Sequence, residues 1–431
     1  MNKEEKHSKK CPICERPTYK ESKYCIFHAS AEEKTEEEFK KALKGYIKKI
    51  KKEDGDYDFK KFIFVGNINF KKDLNVNSFK CVDFRNVVFK GGANFKNTTF
   101  EEDAVFNSAT FKGVTTFESA IFKGDTLFDG ATFYEDTNFW MVIFKEHVSF
   151  KGTTFKGDAN FGVTTFERFV MFMYTTFKRD TKFDSAIFQG HTFFVEATFE
   201  GNVSFDLATL PFGKKLNIKA KKKGIISFIY TKLENIFLDL NLDEGVLIDF
   251  SNTLLRNTNF TKSQIENHIL QEEKKEFSQA REVYLILKNN FHSLGRYEDE
   301  SWAFKKEKDM ERKSNFHFKT IPKWLWSCFL NGIFGYGEQP GKVIISAISI
   351  ILIFTFLFMS SGISNASIGG FTSNNFLDCV YFSVITFTTL GYGDFRPLEG
   401  WGRIFAGTEA FIGALMMALF VYTFARRTGG R

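Results

Sequence analysis

Two clusters in this sequence have the residue types and spacing for chemistry at a cation. The first is Thr388-Thr389-Leu390-Gly391-Tyr392-Gly393-Asp394. Gly391 and Gly393 lack a Cβ and accept backbone angles that other residues resist, so the carbonyls around them can turn to one side. Rings of such carbonyls, with the Thr389 hydroxyl at the inner end, can replace the water around a dehydrated cation without any charged side chain. Tyr392 would brace the loop from behind and Asp394 would stand at its outer mouth. The second cluster is Cys11-x-x-Cys14 with Cys25-x-x-His28. Two chelating pairs supply three thiolates and one imidazole, a complete tetrahedral set for Zn2+. With every position filled by protein, the expected metal is structural or partner-binding rather than catalytic, and so small a segment needs it to fold. The alternative is a redox Cys-x-x-Cys with an incidental Cys25 and His28, although no thioredoxin-like unit surrounds it.

The elements that must position the glycine loop lie on either side of it. Residues 343–361 carry no charge and residues 404–425 carry only Glu409, so both have the composition of membrane spans. Between them, residues 375–388 are apolar but too short to cross, which predicts a re-entrant helix aimed at the loop. Gly335-Tyr336-Gly337 repeats the same tripeptide without that context. Glu409, an acid within a span, must be paired, hydrated or neutral, and a hydrogen bond to the re-entrant helix is its expected role.

Residues 341–427 resemble the pore of a two-transmembrane prokaryotic potassium channel. The family filter reads Thr-Val-Gly-Tyr-Gly-Asp, and here Leu390 replaces the valine, keeping the carbonyl and the bulk. The resemblance implies K+ as the permeant ion, coordinated within Thr389, Leu390, Gly391, Tyr392, Gly393 and Asp394, and a homotetramer, since one loop supplies a quarter of each oxygen ring. It also implies that Trp401-Gly402-Arg403 leads into the inner helix and that Gly413 is a gating hinge. Close helix packing is the other reading of Gly413.

Composition sets the surroundings. The 431 residues suffice for two or three domains, and roughly three quarters of them must fold in water. Of six cysteines, three cluster near the N-terminus and Cys81, Cys328 and Cys379 are scattered, which fits a reducing compartment rather than a disulfide framework. No apolar leader opens the chain. Lys323, Lys342, Arg426 and Arg427 flank the spans on one side, which places both termini in the cytoplasm and the pore in the plasma membrane. A net charge of +7 is modest at this length and suits solvation and lipid contact; no nucleic acid is expected.

A repeat organises the soluble part. Phenylalanine recurs in steps of eleven at 95, 106, 117 and onward to 205, and in a second series at 89, 100, 111 and onward to 199. Alternating steps of five and six scatter around a helix, whereas Thr, Val and Phe with Gly or Asp at the turns suit short strands. The small or β-branched residues that usually stand two positions before Phe, as in Ala109-Thr110-Phe111, share its inward face. This alternation is similar to pentapeptide-repeat proteins, which form right-handed β-helices; the sixth residue in every second unit departs from their pattern. Coils of four sides and about 22 residues are preferred over two-sided coils of about 11.

The expected fold is therefore multidomain: a zinc module (1–30), a linker helix and lead-in (31–78) read as a solvated spacer, and a β-solenoid (79–212). A basic connector read as a loop, with a short solenoid continuation, follows (213–261). A helical hairpin (262–320), an interfacial segment rich in Trp (321–340) and the α-helical pore (341–427) complete it. The expected function is passive K+ conduction, not enzymatic catalysis, with the solenoid in regulation or assembly through an unknown cytoplasmic ligand. Regulation is expected from the N-terminal side, because the chain runs only a few residues past Phe424. The rival is a membrane-anchored scaffold with a non-conducting pore.

Overall fold

The computed structural model describes residues 10–210, 215–314, 321–365 and 371–428. These fall into two compact units, one reaching Gly295 and the other starting at Arg296.

In the first unit, the alternation of five and six residues becomes a coil with a strand of two residues on each of four sides. The sides form parallel sheets of 7, 9, 9 and 6 strands. Thr110 pairs with Thr132 and Phe111 with Phe133, so one coil takes 22 residues and the four-sided form is the one adopted. The phenylalanines of the two eleven-residue series point inward and are buried from Phe95 to Phe205. Phe128 and Phe150, one coil apart, stack at 5.0 Å and 1°, while Phe117 and Phe128 meet edge to face at 5.5 Å. Each ring removed from water contributes about 1.5–3 kcal/mol, and both ring geometries are favourable ones. The small inward position holds alanine, valine or threonine, and some of the threonine hydroxyls reach the coil before, as Thr164 Oγ1 donates to Phe139 O at 2.6 Å.

The sixth residue also has a place. Five-residue steps turn through a residue in the left-handed region, such as Asn97 at φ 54° or Ser119 at φ 56°. Six-residue steps open the corner, where an aspartate accepts from the next coil's backbone: Asp103 Oδ1 from Asp125 N at 3.0 Å, and Asp136 Oδ1 from Asp158 N at 2.9 Å.

Both ends of the solenoid differ from expectation. The first coil begins at Tyr57, not 79, because Tyr57 pairs with Val82 and Ile63 with Val88. Its fourth side is the strand Ser78–Phe79, paired with Thr99–Phe100, and the short helix Phe70–Leu74 (α2) is inserted just before it, which breaks the phenylalanine spacing. The helix before it, Glu36–Glu53 (α1), is no solvated spacer. Thr35 and Glu38 form a capping box at its start, and Phe39, Leu43, Ile47 and Ile50 are buried. Phe39 packs edge to face on Phe64, so α1 closes the end of the coil. The basic run is likewise not a loop: Lys215–Ala220 is a strand paired with Phe237–Leu242. Lys215 and Lys219 make ion pairs with Asp239 at 2.9 Å and Glu196 at 3.1 Å. Lys214 lies outside the described residues. After Leu270–Glu273 (α3), the helix Phe277–Ser293 (α4) closes the far end. There Phe291 meets Phe260 at 5.4 Å and the Asn290 amide bonds both N and O of Thr258 at 2.9 Å.

The expected hairpin is divided, because its second helix, Tyr297–Ser314 (α5), belongs to the second unit; residues 315–320 lie outside the described residues. That unit continues with Ile321–Phe334 (α6), Pro340–Ser361 (α7), Phe376–Phe387 (α8) and Trp401–Thr428 (α9). Among the described residues, α7 and α9 are the two helices long and apolar enough to cross a membrane. Leu325, Trp326 and Phe329 leave one face of α6 exposed and apolar. The second Gly-Tyr-Gly is a tight turn between α6 and α7, its Tyr336 hydroxyl 2.8 Å from Ser327 Oγ.

Candidate functional site

Helix α8 has 12 residues, about 18 Å of rise and too little for a bilayer core of ~30 Å. Phe382 and Ile385 bury against Phe354 and Phe358 of α7, which fixes its depth. Its carbonyl end, the negative end of the helix dipole, is turned toward the loop, which favours a cation there. The helix stops where Thr388 Oγ1 bonds back to Val384 O at 2.7 Å and Leu390 N to Ile385 O at 3.0 Å. Beyond that point every second residue is left-handed: Thr389 at φ 56°, Gly391 at 53° and Gly393 at 80°. Alternating hand is what successive carbonyls need in order to share one side. The two glycines were legible for this reason; Thr389 was not, since a residue with a branched Cβ rarely sits in this region. Leu390 and Tyr392 are 60% and 69% exposed, so the described residues of one chain leave both side chains largely uncovered. Asp394 Oδ1 accepts from Phe395 N at 3.1 Å. Phe395 lies on the strand Phe395–Pro397, which pairs with Ile363–Asn365.

Helix α9 supports α8 from behind. A Cβ on Gly413 would lie 2.0 Å from Phe387 O, so the two backbones touch where α8 ends. Of the two roles weighed for Gly413, packing is the one with an observation behind it, and α9 runs as one helix through that point. One turn earlier, Glu409 is fully buried and hydrogen-bonded to Ser383 of α8. Spacing alone does not single out Ser383; the signal available is a serine in the apolar half of a short, mostly apolar helix.

The N-terminal cluster assembles as its spacing predicts. Tight turns present the two pairs, with Glu15 N bonded to Cys11 O at 2.9 Å and Ala29 N to Cys25 O at 2.8 Å. The donor atoms of Cys11, Cys14, Cys25 and His28 lie within 4.8 Å of one another. His28 Nδ1 is 3.6 Å from Cys11 Sγ and 3.3 Å from Cys25 Sγ, and Cys14 Sγ is 3.5 Å from Cys25 Sγ. Metal bonds of ~2.3 Å to sulfur and ~2.0 Å to nitrogen, splayed tetrahedrally, separate donors by roughly 3.5–3.8 Å, so the set fits one ion. His28 Nε2 lies 3.0 Å from Lys60 O, which fixes the proton there and leaves Nδ1 free to ligate. Burial lowers the His28 pKa and so keeps the ring neutral. Burial also pushes the Cys25 thiol up to about 12, so a cation is needed to hold it as thiolate. Lys34, whose Nζ donates to Ile26 O at 2.7 Å, is pushed down to about 7 by the same desolvation. Bound thiolates would restore its charge. Phe27 stacks on Phe62 at 4.6 Å, so the cluster is continuous with the first coil, a link invisible in the sequence.

Residues 343–429 match the family model described as "Ion channel". The C-terminal region is an ion-channel domain. Residues 80–121 and 117–165 match "Pentapeptide repeats (9 copies)", so the channel domain follows a pentapeptide-repeat solenoid. Among curated proteins, "Two pore potassium channel a" of Oryza sativa subsp. japonica is 43% identical over 54 residues, 12% of this chain and 16% of that protein. The chain thus spans about one sixth of that relative's length. No solved structure matches. Within the channel domain, α7 and α9 are the two candidate spans, α8 is the shorter apolar helix and the glycine loop follows it.

Proposed function

We propose that the protein is a potassium-selective channel assembled from four copies. Backbone carbonyls of Thr389, Leu390, Gly391 and Tyr392, with the Thr389 hydroxyl, would replace the hydration of K+, and Gly393 and Asp394 would complete the outer mouth. The left-handed alternation at 389, 391 and 393 carries this reading. Exposure of Leu390 and Tyr392 supports assembly, since neighbouring copies supply the missing walls. Ile345, Phe356, Phe411 and Val421 are exposed apolar residues on α7 and α9 that lipid or neighbouring copies would cover. Conduction is passive and involves no covalent step. Purified protein in liposomes should pass K+ down a gradient and exclude Na+, and Gly391→Asp should abolish the flux. Equal passage of Na+ would overturn the reading.

The Cys11, Cys14, Cys25 and His28 set would hold a structural Zn2+, and the solenoid would lie in the cytoplasm, with both termini on that side of the plasma membrane. Its role would be regulation or assembly, acting through the chain that joins it to α7. Deleting residues 1–260 should change open probability in single-channel records or the yield of tetramer; a truncated protein identical in both would remove that role.

A further inference from the structure

Glu409 is the acid within the spans, and the glycine loop does not use it. It is 0% exposed within a single chain, so added copies can only bury it further. Its surroundings are apolar: Phe405 and Ile412 on the adjacent turns pack against the cluster of Phe354, Phe358, Cys379, Phe382 and Ile385. Oε1 is bonded to Ser383 Oγ, and Oε2 has no partner among the described residues. Ser383 Oγ is also 3.0 Å from Ile351 O of α7.

The serine hydroxyl has one proton and lies between two acceptors. If Glu409 were a carboxylate, Ser383 would donate to it, and a full charge would remain buried with one oxygen bare of donors, a costly state at membrane depth. If Glu409 carries the proton, all three groups are served in sequence: the acid donates to Ser383 Oγ and Ser383 donates to Ile351 O. The bare Oε2 is then a neutral carbonyl, for which lacking a partner costs far less.

We propose that Glu409 is a positioning residue, held as the neutral acid, whose proton begins a relay from α9 through Ser383 of α8 to Ile351 of α7. The relay locks the three helices one turn before α8 meets Gly413, and thereby sets where the loop begins. This rests on the channel reading above.

The test uses the full chain in liposomes with K+ and Na+ as probes. Glu409→Gln keeps a donor toward Ser383 and should retain K+ flux and selectivity. Glu409→Ala and Ser383→Ala break the relay and should lower K+ over Na+ preference by about tenfold, the scale of one buried hydrogen bond. The infrared difference between the wild type and Glu409→Gln should show a protonated carboxyl band that shifts in D2O. Carboxylate bands in that difference, a Gln variant as impaired as Ala, or an Ala variant with unchanged selectivity would each overturn the relay. Absence of K+ flux in the wild type would instead count against the channel reading, and the infrared result would still decide the proton.

Discussion

Gly413→Ala is expected to abolish K+ flux. The added carbon would sit 2.0 Å from Phe387 O, 2.8 Å from its carbonyl carbon and 3.0 Å from its Cα. All three are backbone atoms, so no rotamer change relieves the clash and the helices must separate. Overpacking that side chains can absorb already costs about 1–3 kcal/mol, and here the atom displaced is the last carbonyl of the helix that ends at the loop. A shift of α8 moves Thr388 and Thr389 directly, and near-contact ion coordination does not survive displacements of that order. Gly407→Ala on the same helix is the control, because a Cβ there meets nothing within 4 Å. Alanine is moreover the better helix former by about 1 kcal/mol. Liposome flux with size-exclusion of the detergent-extracted protein separates loss of conduction from loss of assembly. A conducting Gly413→Ala protein would mean that α8 and α9 are further apart than described.

Removing the N-terminal metal is expected to have the second largest effect. Zinc set by four protein ligands contributes folding free energy outright, about 10–16 kcal/mol in isolated finger peptides, and this cluster is bound to the cap. Phe27 stacks on Phe62, His28 is tied to Lys60 O, and the Arg16 guanidinium lies 4.6 Å over the Tyr46 ring of α1. Stripping the metal, or substituting Cys25→Ser, should therefore release α1 and bare the strand edge that begins at Tyr57. Elemental analysis should find one zinc per chain in the wild type and none in the variant. Limited proteolysis should then cut before residue 57 while the later coils resist. The effect has a pH direction. With Cys25 near 12 in the absence of metal, binding expels protons, so acidification favours the metal-free state and alkaline conditions favour the bound one. A metal-free wild type, or a variant cleaved no faster, would show that the cap stands without it.

Local patterns were the legible part. Gly391 and Gly393 announce a backbone requirement by themselves, and the uncharged runs around them announce spans. The phenylalanine period gave strands and an inward face, and preferred four sides to two, but the choice was fixed only by the pairing of Thr110 with Thr132, which no single repeat contains. What stayed hidden depends on partners distant in sequence. The apolar stripe of α1 at helical spacing was visible, yet nothing in residues 31–56 reveals that Phe64 receives Phe39. Lysines 215 and 219 read as a solvated run because Asp239 and Glu196, which neutralise them, belong to neighbouring coils. The coil before 79 is masked because α2 is inserted between its third and fourth sides and lengthens the spacing there, and α4 and α5 gave no sign of serving different units.

Through the regular middle of the solenoid each turn bonds to the turns 22 residues before and after it, as Phe111 does to Phe89 and Phe133. Such a stack has no preferred length. Inserting or excising whole turns leaves both stoppers and the internal hydrogen bonding intact and changes the rise by about 4.8 Å per turn. The solenoid is thus a ruler graduated in fixed increments, able to vary its reach among descendants without any redesign of its ends.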